Sequence, residues 1–425
     1  MAQNNESKTL IVNYLGLQIG GIEAWISSLI RYSVKKGYRV IWLTTPSCQR
    51  DSMYKDISED SRIEKIYTKR GWRWNPHKKI KFNDDESITM LSFELIDFMR
   101  AEKIRAYTKN VKSFNHYYIL PHFTGNAYYP ERYFKSSFFN GIWHKRLKKY
   151  AKILVEQDCI RAFAEKHLDS FEKNYEVEIK DKATKRLKRI NSTENFNEDL
   201  ARKRAEERKN EFIITTCARF DFPHKGYMLG LVDEFKTLKE QYSQLKLVIV
   251  GYGDGEKQLK EKIQALPQNV SNDIILTGAL PPDKLLEQFK KSHLNVGLAG
   301  ALLEGAKCGL PSLLVRHYSE SCETYGYVSD VQGSFLKLEP GEDIKSYIKY
   351  AIEASDDDYI EISKKDYTTI CNLNESDPEY IYKQTNNDNK STICGLMKLQ
   401  SRWLNLLCYI KKRFFKAKSY EEAEK

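Results

Sequence analysis

The feature that most constrains this chain is an alternation of short apolar runs with helical repeats, met twice along its length. Leu10-Ile11-Val12-Asn13-Tyr14-Leu15 is an apolar run of strand length. Gly16 to Gly21 holds a turn that ends in the pair Gly20-Gly21, and Ile22, Ile26, Leu29, Ile30 and Val34 then recur at helical spacing. Lys35-Lys36-Gly37 is a helix stop, with cations near the negative end of the dipole. Tyr38 to Leu43 is the next strand. A strand–helix–strand unit of this kind joins parallel strands by a right-handed crossover. Weaker strands are read at Arg62–Tyr67, Ile88–Ser92 and Tyr117–Leu120, with Ile153-Leu154-Val155 closing the sheet.

A second alternation starts at Phe212–Thr216. Strands at Leu245–Val250, Asp273–Thr277, Leu294–Leu298 and Leu313–Val315 are separated by helices at Tyr227–Glu240, Glu256–Ala265 and Asp283–Lys290, and by a short helix that carries Glu304. Each half is therefore read as α/β, a doubly wound Rossmann-like sheet. At 425 residues the chain is long enough for two such domains. The expected boundaries are 1–175, a charged connection at 176–210, a second domain at 211–386 and a tail at 387–425. The connection mixes many Lys and Arg with acids and has few apolar residues, so it reads as a solvated, partly helical segment. The interspersed acids argue against a nucleic-acid arm, and no nucleic-acid partner is expected.

Charge bounds the partners. Lys+Arg 69 against Asp+Glu 58 leaves +11, which suits an anionic membrane face or a phosphate-bearing substrate as well as nucleic acid. No run approaches the roughly 20 apolar residues of a membrane span. Met1 to Lys8 is polar and lacks a signal-peptide layout. The 8 cysteines are scattered without a C-x-x-C, as expected of thiols in a reducing cytoplasm.

Four clusters can carry chemistry. Gly20-Gly21 stands before a helix, where two glycines either admit a ligand to free N–H groups or simply make a tight turn. Arg219-Phe-Asp-Phe-Pro-His-Lys225-Gly226 follows the first strand of the second half. Loops at the carboxyl ends of parallel strands are where such sheets bind ligands, and Arg219 and Lys225 can both face one diphosphate. Gly251-Tyr-Gly253-Asp-Gly255 has G-x-G-x-G spacing, not the G-x-G-x-x-G of a dinucleotide fold. It reads as a turn whose backbone approaches a base or phosphate, and an NAD oxidoreductase is disfavoured. Finally, Gly297 to Pro311 crowds small residues around one carboxylate, Glu304, suited to bidentate bonding of vicinal ribose hydroxyls.

The order of these motifs, GGIE, then R…KG, then a strand ending in G-x-G, then LEGAKCGLP, resembles retaining GT-B glycosyltransferases of family four (glycosyl transferases group 1). The likeness covers roughly Leu10 to Val40 and Phe212 to Asp330. It implies two Rossmann-like domains facing a cleft, with a nucleotide-diphosphate sugar on the second and the acceptor on the first. Carried over, Gly20 and Gly21 would meet the donor phosphates or the sugar. Arg219 and Lys225 would neutralise the leaving diphosphate, Gly251 and Gly253 would lie near the donor, and Glu304 would hold the ribose. His122 would be the catalytic cleft histidine, with His116 as runner-up. The family usually has two glutamates eight apart, but the earlier position here is Val296. Sugar contacts would then come from N–H groups near Gly300 and Ala301, or donor choice differs, or activity is lost. Nothing in this motif set supplies an obvious D-x-D cation site, so no metal and no cofactor are expected, the nucleotide sugar being substrate.

The tail carries Leu396, Leu399, Trp403, Leu406, Leu407, Ile410 and Phe414 at helical spacing among Lys398, Arg402, Lys411, Lys412, Arg413, Lys416 and Lys418. Leu396–Lys418 would either lie on an anionic membrane surface or pack back on the first domain. The combined expectation is a cytoplasmic enzyme, peripheral on the inner membrane face if the tail binds lipid. It would transfer sugar to a polysaccharide or lipid-linked glycan in surface polysaccharide synthesis. The alternative is a non-catalytic nucleotide-sugar binding module.

Overall fold

A strand buried on both faces reads as an unbroken apolar run, and such strands sit at the centre of parallel sheets. Strand β1 (Lys8–Asn13) has that character, since every residue after Lys8 is buried. The computed structural model describes residues 7–18, 20–67, 80–120, 137–188, 195–331, 335, 337–373 and 378–383. In it β1 is central to a six-stranded sheet with β2 (Arg39–Thr44), β3 (Ile63–Tyr67), β4 (Ser87–Ser92), β5 (Ser113–Leu120) and β6 (Ile160–Ala162). The order is β3-β2-β1-β4-β5-β6, and every pairing is parallel. The helix Gly21–Lys35 makes the first crossover and buries Trp25, Ile26, Leu29 and Ile30 with Leu10, Val12, Val40 and Trp42.

The second sheet contains β7 (Phe212–Cys217), β8 (Leu245–Val250), β9 (Ile274–Gly278), β10 (Leu294–Gly297), β11 (Ser312–Val315), β12 (Glu323–Tyr327) and β13 (Glu342–Asp343). Its order is β13-β12-β11-β10-β7-β8-β9. The strands from β11 to β9 are parallel, and β12 and β13 join antiparallel at one edge. Both halves are thus doubly wound α/β sheets, as the alternation predicted.

The described residues fall into two units. One takes those within Met1–Gln18, Ile22–Ile190 and Ser376–Lys425, and the other those within Ile19–Gly21 and Asn191–Glu375. Three expectations are corrected here. Ile153-Leu154-Val155 is helical, inside Ser137–Glu156, and β6 closes the sheet instead. Leu147, Tyr150, Ala151 and Leu154 recur at helical spacing and pack with Leu168 and Phe171, so the helical period decides over a three-residue apolar run.

Where described, residues 176–210 are largely exposed and partly helical, as expected, but they are divided between the two units instead of standing apart from them. Ile179 and Leu187 are buried in the first unit, and Arg186 bridges to Ala162. Beyond them the helix Glu198–Glu207 belongs to the second unit, with Arg204 and Arg208 each 1% exposed. Arg204 donates to the carbonyls of Phe289, Lys290, Cys308 and Gly309. Arg208 donates to those of Ala205, Ala351, Ile352 and Ala354 and to Asp356. A guanidinium has five donors, so backbone oxygens alone can satisfy it away from water.

The second unit also ends before 386. Residues 378–383 return to the first unit, where Ile381 and Tyr382 join its core. Glu379 accepts hydrogen bonds there from Lys8, Tyr32 and Tyr38. The tail Leu396–Lys418 lies outside the described residues. Among those described, no helix is long and apolar enough to cross a membrane.

Candidate functional site

In an open parallel sheet a crevice forms where neighbouring strands send their connections in opposite directions. In the second unit that point lies between β7, which continues to β8, and β10, which continues away to β11. Two segments leave it: the loop Ala218–Gly226 after β7, and Leu298 with the helix Ala299–Lys307 after β10.

The β7 loop is laced to the loop after β8. The Ala218 N–H donates to Val250 O at 3.1 Å, Phe220 N–H to Tyr252 O at 2.8 Å, and Gly255 N–H to Phe220 O at 2.9 Å. Gly251 and Gly253 have φ of 153° and 150°. A Cβ on Gly251 would stand 1.9 Å from Ala218 O, and one on Gly253 would stand 2.6 Å from Phe220 O. The space left by the missing side chains is therefore filled by the Arg219 loop. Loop-on-loop packing thus requires glycine at both positions.

Arg219 is exposed and Lys225 half-buried on that loop. Neither makes an ion pair among the described residues. Burial pulls the Lys225 ammonium down to about 8, with Asp221 opposing and Arg219 adding to the effect. A desolvated cation with a second cation nearby is a poor arrangement for an empty site and a good one for an anion.

The helix Ala299–Lys307 supplies more positive potential. Leu298 at its N-cap offers no side-chain acceptor, so the first-turn N–H groups, those of Ala299, Gly300 and Ala301, lack a side-chain cap. Ala299 has φ +46°, which turns the chain directly from strand into helix. Glu304, one turn further on, is exposed and accepts from Lys307 Nζ at 3.0 Å. Val296 is fully buried in β10, so a glutamate at that position would enter the core.

The structure thus brings Arg219 and Lys225 onto one loop. Gly300, Ala301 and Glu304 follow the end of the adjacent strand, and Gly20-Gly21 stand at the start of the helix Gly21–Lys35. His122 lies outside the described residues.

His116 does not serve as a cleft residue. It is fully buried on β5, beside the first unit's own switch point between β1 and β4. Asn13 Nδ2 donates to Ser92 Oγ at 3.0 Å and to Asp97 O at 3.1 Å. Ser92 Oγ lies 2.9 Å from His116 Nε2, and His116 Nδ1 lies 2.6 Å from Glu102. Phe98 stacks on the imidazole at 3.9 Å. Burial holds the His116 pKa below its usual value against the pull of Glu102. Sequence reasoning missed this buried polar chain. Its signal was a polar residue closing each of two apolar strands, Asn13 in β1 and Ser92 in β4.

Comparison with known proteins now has a geometry to meet. The family description Glycosyl transferases group 1 matches residues 197–365, nearly all of the second unit. The uncharacterized glycosyltransferase MJ1059 of Methanocaldococcus jannaschii is 27% identical over 186 residues, 43% of this chain and 42% of that protein. The match therefore spans less than half of that relative's length. Among solved structures, Anabaena Alr3699/HepE in complex with UDP and glucose aligns over 89% of this chain and 98% of its own, with TM-score 0.54 and 15% identity. A glycosyltransferase from Rickettsia africae aligns over 94% and 98%, with TM-score 0.53 and 16% identity. At such identities the likeness is one of fold. Residues 197–365 thus match the glycosyl transferases group 1 description, and the α/β fold is like that of these solved glycosyltransferase structures.

Proposed function

We propose that the protein is a glycosyltransferase whose second unit binds a nucleotide-diphosphate sugar, and whose first unit supplies the acceptor side. One observation carries this: Arg219 and the desolvated Lys225, both without an ion-pair partner among the described residues, lie on the loop after β7, and the helix after the neighbouring strand β10 starts without a side-chain cap. A diphosphate satisfies all three at once. The Anabaena protein with UDP and glucose makes UDP the first nucleotide to test.

The chemistry follows from charge. The bond between the anomeric carbon and the phosphate oxygen breaks, and its electron pair leaves with the diphosphate. The acceptor hydroxyl oxygen bonds to the anomeric carbon, and its proton passes to the departing diphosphate or to water. Arg219, Lys225 and the N–H groups of Gly300 and Ala301 stabilise the charge that grows on the diphosphate. On this reading no divalent cation is needed, and EDTA leaves transfer unchanged. Strict dependence on a divalent cation would refute that point. Glu304 binds the ribose hydroxyls. Retention of configuration and a cytoplasmic polysaccharide or lipid-linked glycan acceptor follow from the family resemblance. Membrane recruitment through Leu396–Lys418 follows from the sequence pattern. If truncation after residue 386 left sedimentation with anionic vesicles unchanged, the recruitment idea would fail.

A second reading, a nucleotide-sugar binding module without turnover, is favoured by Val296, which leaves no acid at that place in the strand. A thermal-shift screen of nucleotide diphosphates and their sugars identifies the ligand. Release of free diphosphate from the bound sugar, lost in Lys225→Ala, then marks an enzyme. Binding without release marks the module.

A further inference from the structure

The connection after β11 crosses to the start of the helix Tyr227–Lys239. A Cβ on Gly226 would stand 2.8 Å from Ser319 O, and one on Gly230 would stand 2.4 Å from Cys322 N. The Tyr318 N–H donates to His224 O at 3.3 Å. This close approach gathers three rings. The His224 and His317 centroids are 4.2 Å apart, His224 and Tyr318 4.8 Å, and His317 and Tyr318 4.5 Å. His317 is buried, His224 half-buried, and Tyr318 is 44% exposed with φ +56°. A tyrosine in the left-handed region is uncommon and is kept only where the surroundings impose it.

We propose that His224 and Tyr318 form an aromatic platform for the pyranose ring of the nucleotide sugar, and so help to determine which sugar the protein accepts. The inference rests on the nucleotide-sugar reading above and extends it to the sugar end. His224 is the chain neighbour of Lys225, the cation assigned to the diphosphate. The cluster thus adjoins, in the chain, the cation assigned to the diphosphate that bears the sugar. The ribose end of the donor is assigned to Glu304. A pyranose has apolar C–H faces and a polar rim. An aromatic surface with polar edges matches that division, covering a face and leaving the hydroxyls to hydrogen bonds. The buried Val296 leaves no carboxylate to do this work from β10.

The test is calorimetric titration of the full chain with UDP-glucose, UDP-N-acetylglucosamine, GDP-mannose and ADP-glucose, each compared with its own diphosphate. Tyr318→Ala and Tyr318→Gly are the variants, glycine being at ease at φ +56°. Tyr318→Phe is the control that keeps the ring. Both truncations are expected to lose about threefold to tenfold in affinity for the nucleotide sugar. Affinity for the matching diphosphate stays within about twofold, and Tyr318→Phe behaves as wild type. Equal losses on sugar and diphosphate would place the ring against the base or phosphates and overturn the platform. So would no loss on either. Failure of the wild-type chain to bind any of these compounds would instead sink the nucleotide-sugar reading, and the platform with it.

Discussion

Replacing Lys225 with methionine separates its cost to the fold from its use. The ammonium is half-buried, lacks an ion-pair partner among the described residues, and titrates near 8. A fall from the ordinary 10.5 to about 8 corresponds to about 3 kcal/mol against the charged form, an upper figure for what the lysine costs the ligand-free protein at pH 7. Lys225→Met is therefore expected to raise the melting temperature by a few degrees. The sign fixes the pH window. A lysine whose folded pKa is depressed carries its full penalty below pH 8, and the penalty fades as pH rises from 8 towards 10.5. The gap between variant and wild type should close over that interval. Activity moves the opposite way. Loss of one donor to a developing negative charge costs about 10²–10³ in rate. In wild type, kcat/KM should fall through a basic limb near pH 8 as the free enzyme loses this charge. Lys225→Arg should push that limb upward, because guanidinium stays ionised. Transfer rates and melting curves between pH 6 and 10.5 read both effects. The reasoning is refuted if Lys225→Met keeps kcat/KM within about threefold, or loses stability together with activity.

Three further outcomes follow from the same coordinates. Glu304→Ala should leave stability within about 0.5 kcal/mol, since its exposed pairing with Lys307 is weak. It should nonetheless cost about tenfold or more in nucleotide affinity, and a 2′-deoxynucleotide should bind wild type with a matching loss. Asp366 is fully buried, accepts the N–H groups of Ser312 and Ser329 at 2.8 Å each, and is raised by burial to about 7. Its contribution is complete below the ordinary carboxylate pKa and is lost as pH rises through 7. Denaturant titrations should therefore show stability falling by up to about 4 kcal/mol between pH 4 and 7, and Asp366→Asn should flatten that slope. Gly251→Ala should cost more than about 3 kcal/mol, because its Cβ would overlap Ala218 O at φ +153°. A stable Gly251→Ala protein would show that the loop has room after all.

What was legible in the sequence was local period. The runs at Leu10, Leu245 and Leu294 are strands because buried parallel strands need unbroken apolar sequence. The turns at Gly20 and Arg219 could be placed at strand ends for the same reason. What was not legible depended on contacts distant in sequence. Arg204 and Arg208 look like solvated cations until carbonyls from about 85 to almost 150 residues away surround them. The return of residues 378–383 rests on Glu379 meeting Lys8, Tyr32 and Tyr38, which no window around Glu379 contains. The glycines at 251 and 253 were visible as a pattern, but their reason was not, since the atoms they avoid belong to Ala218 and Phe220.

Those distant contacts also make Lys225 informative. Elsewhere in the fold, cations removed from water have acceptors: Arg161 has Asp158, Arg39 has Glu64 and Glu86, and Arg204 has four carbonyls. The acid nearest in charge, Asp221 on the same loop, opposes the loss of charge at Lys225 without forming an ion pair with it, and Arg219 on that loop adds a second cation. Local rules broken without nearby compensation tend to coincide with sites of function. Here the missing partner is specified by what surrounds the gap. Two cations on one loop, with a helix start lacking a side-chain cap after the neighbouring strand, suit a ligand that carries more than one negative charge. A diphosphate offers this, whereas a single carboxylate would leave one of the three unmet.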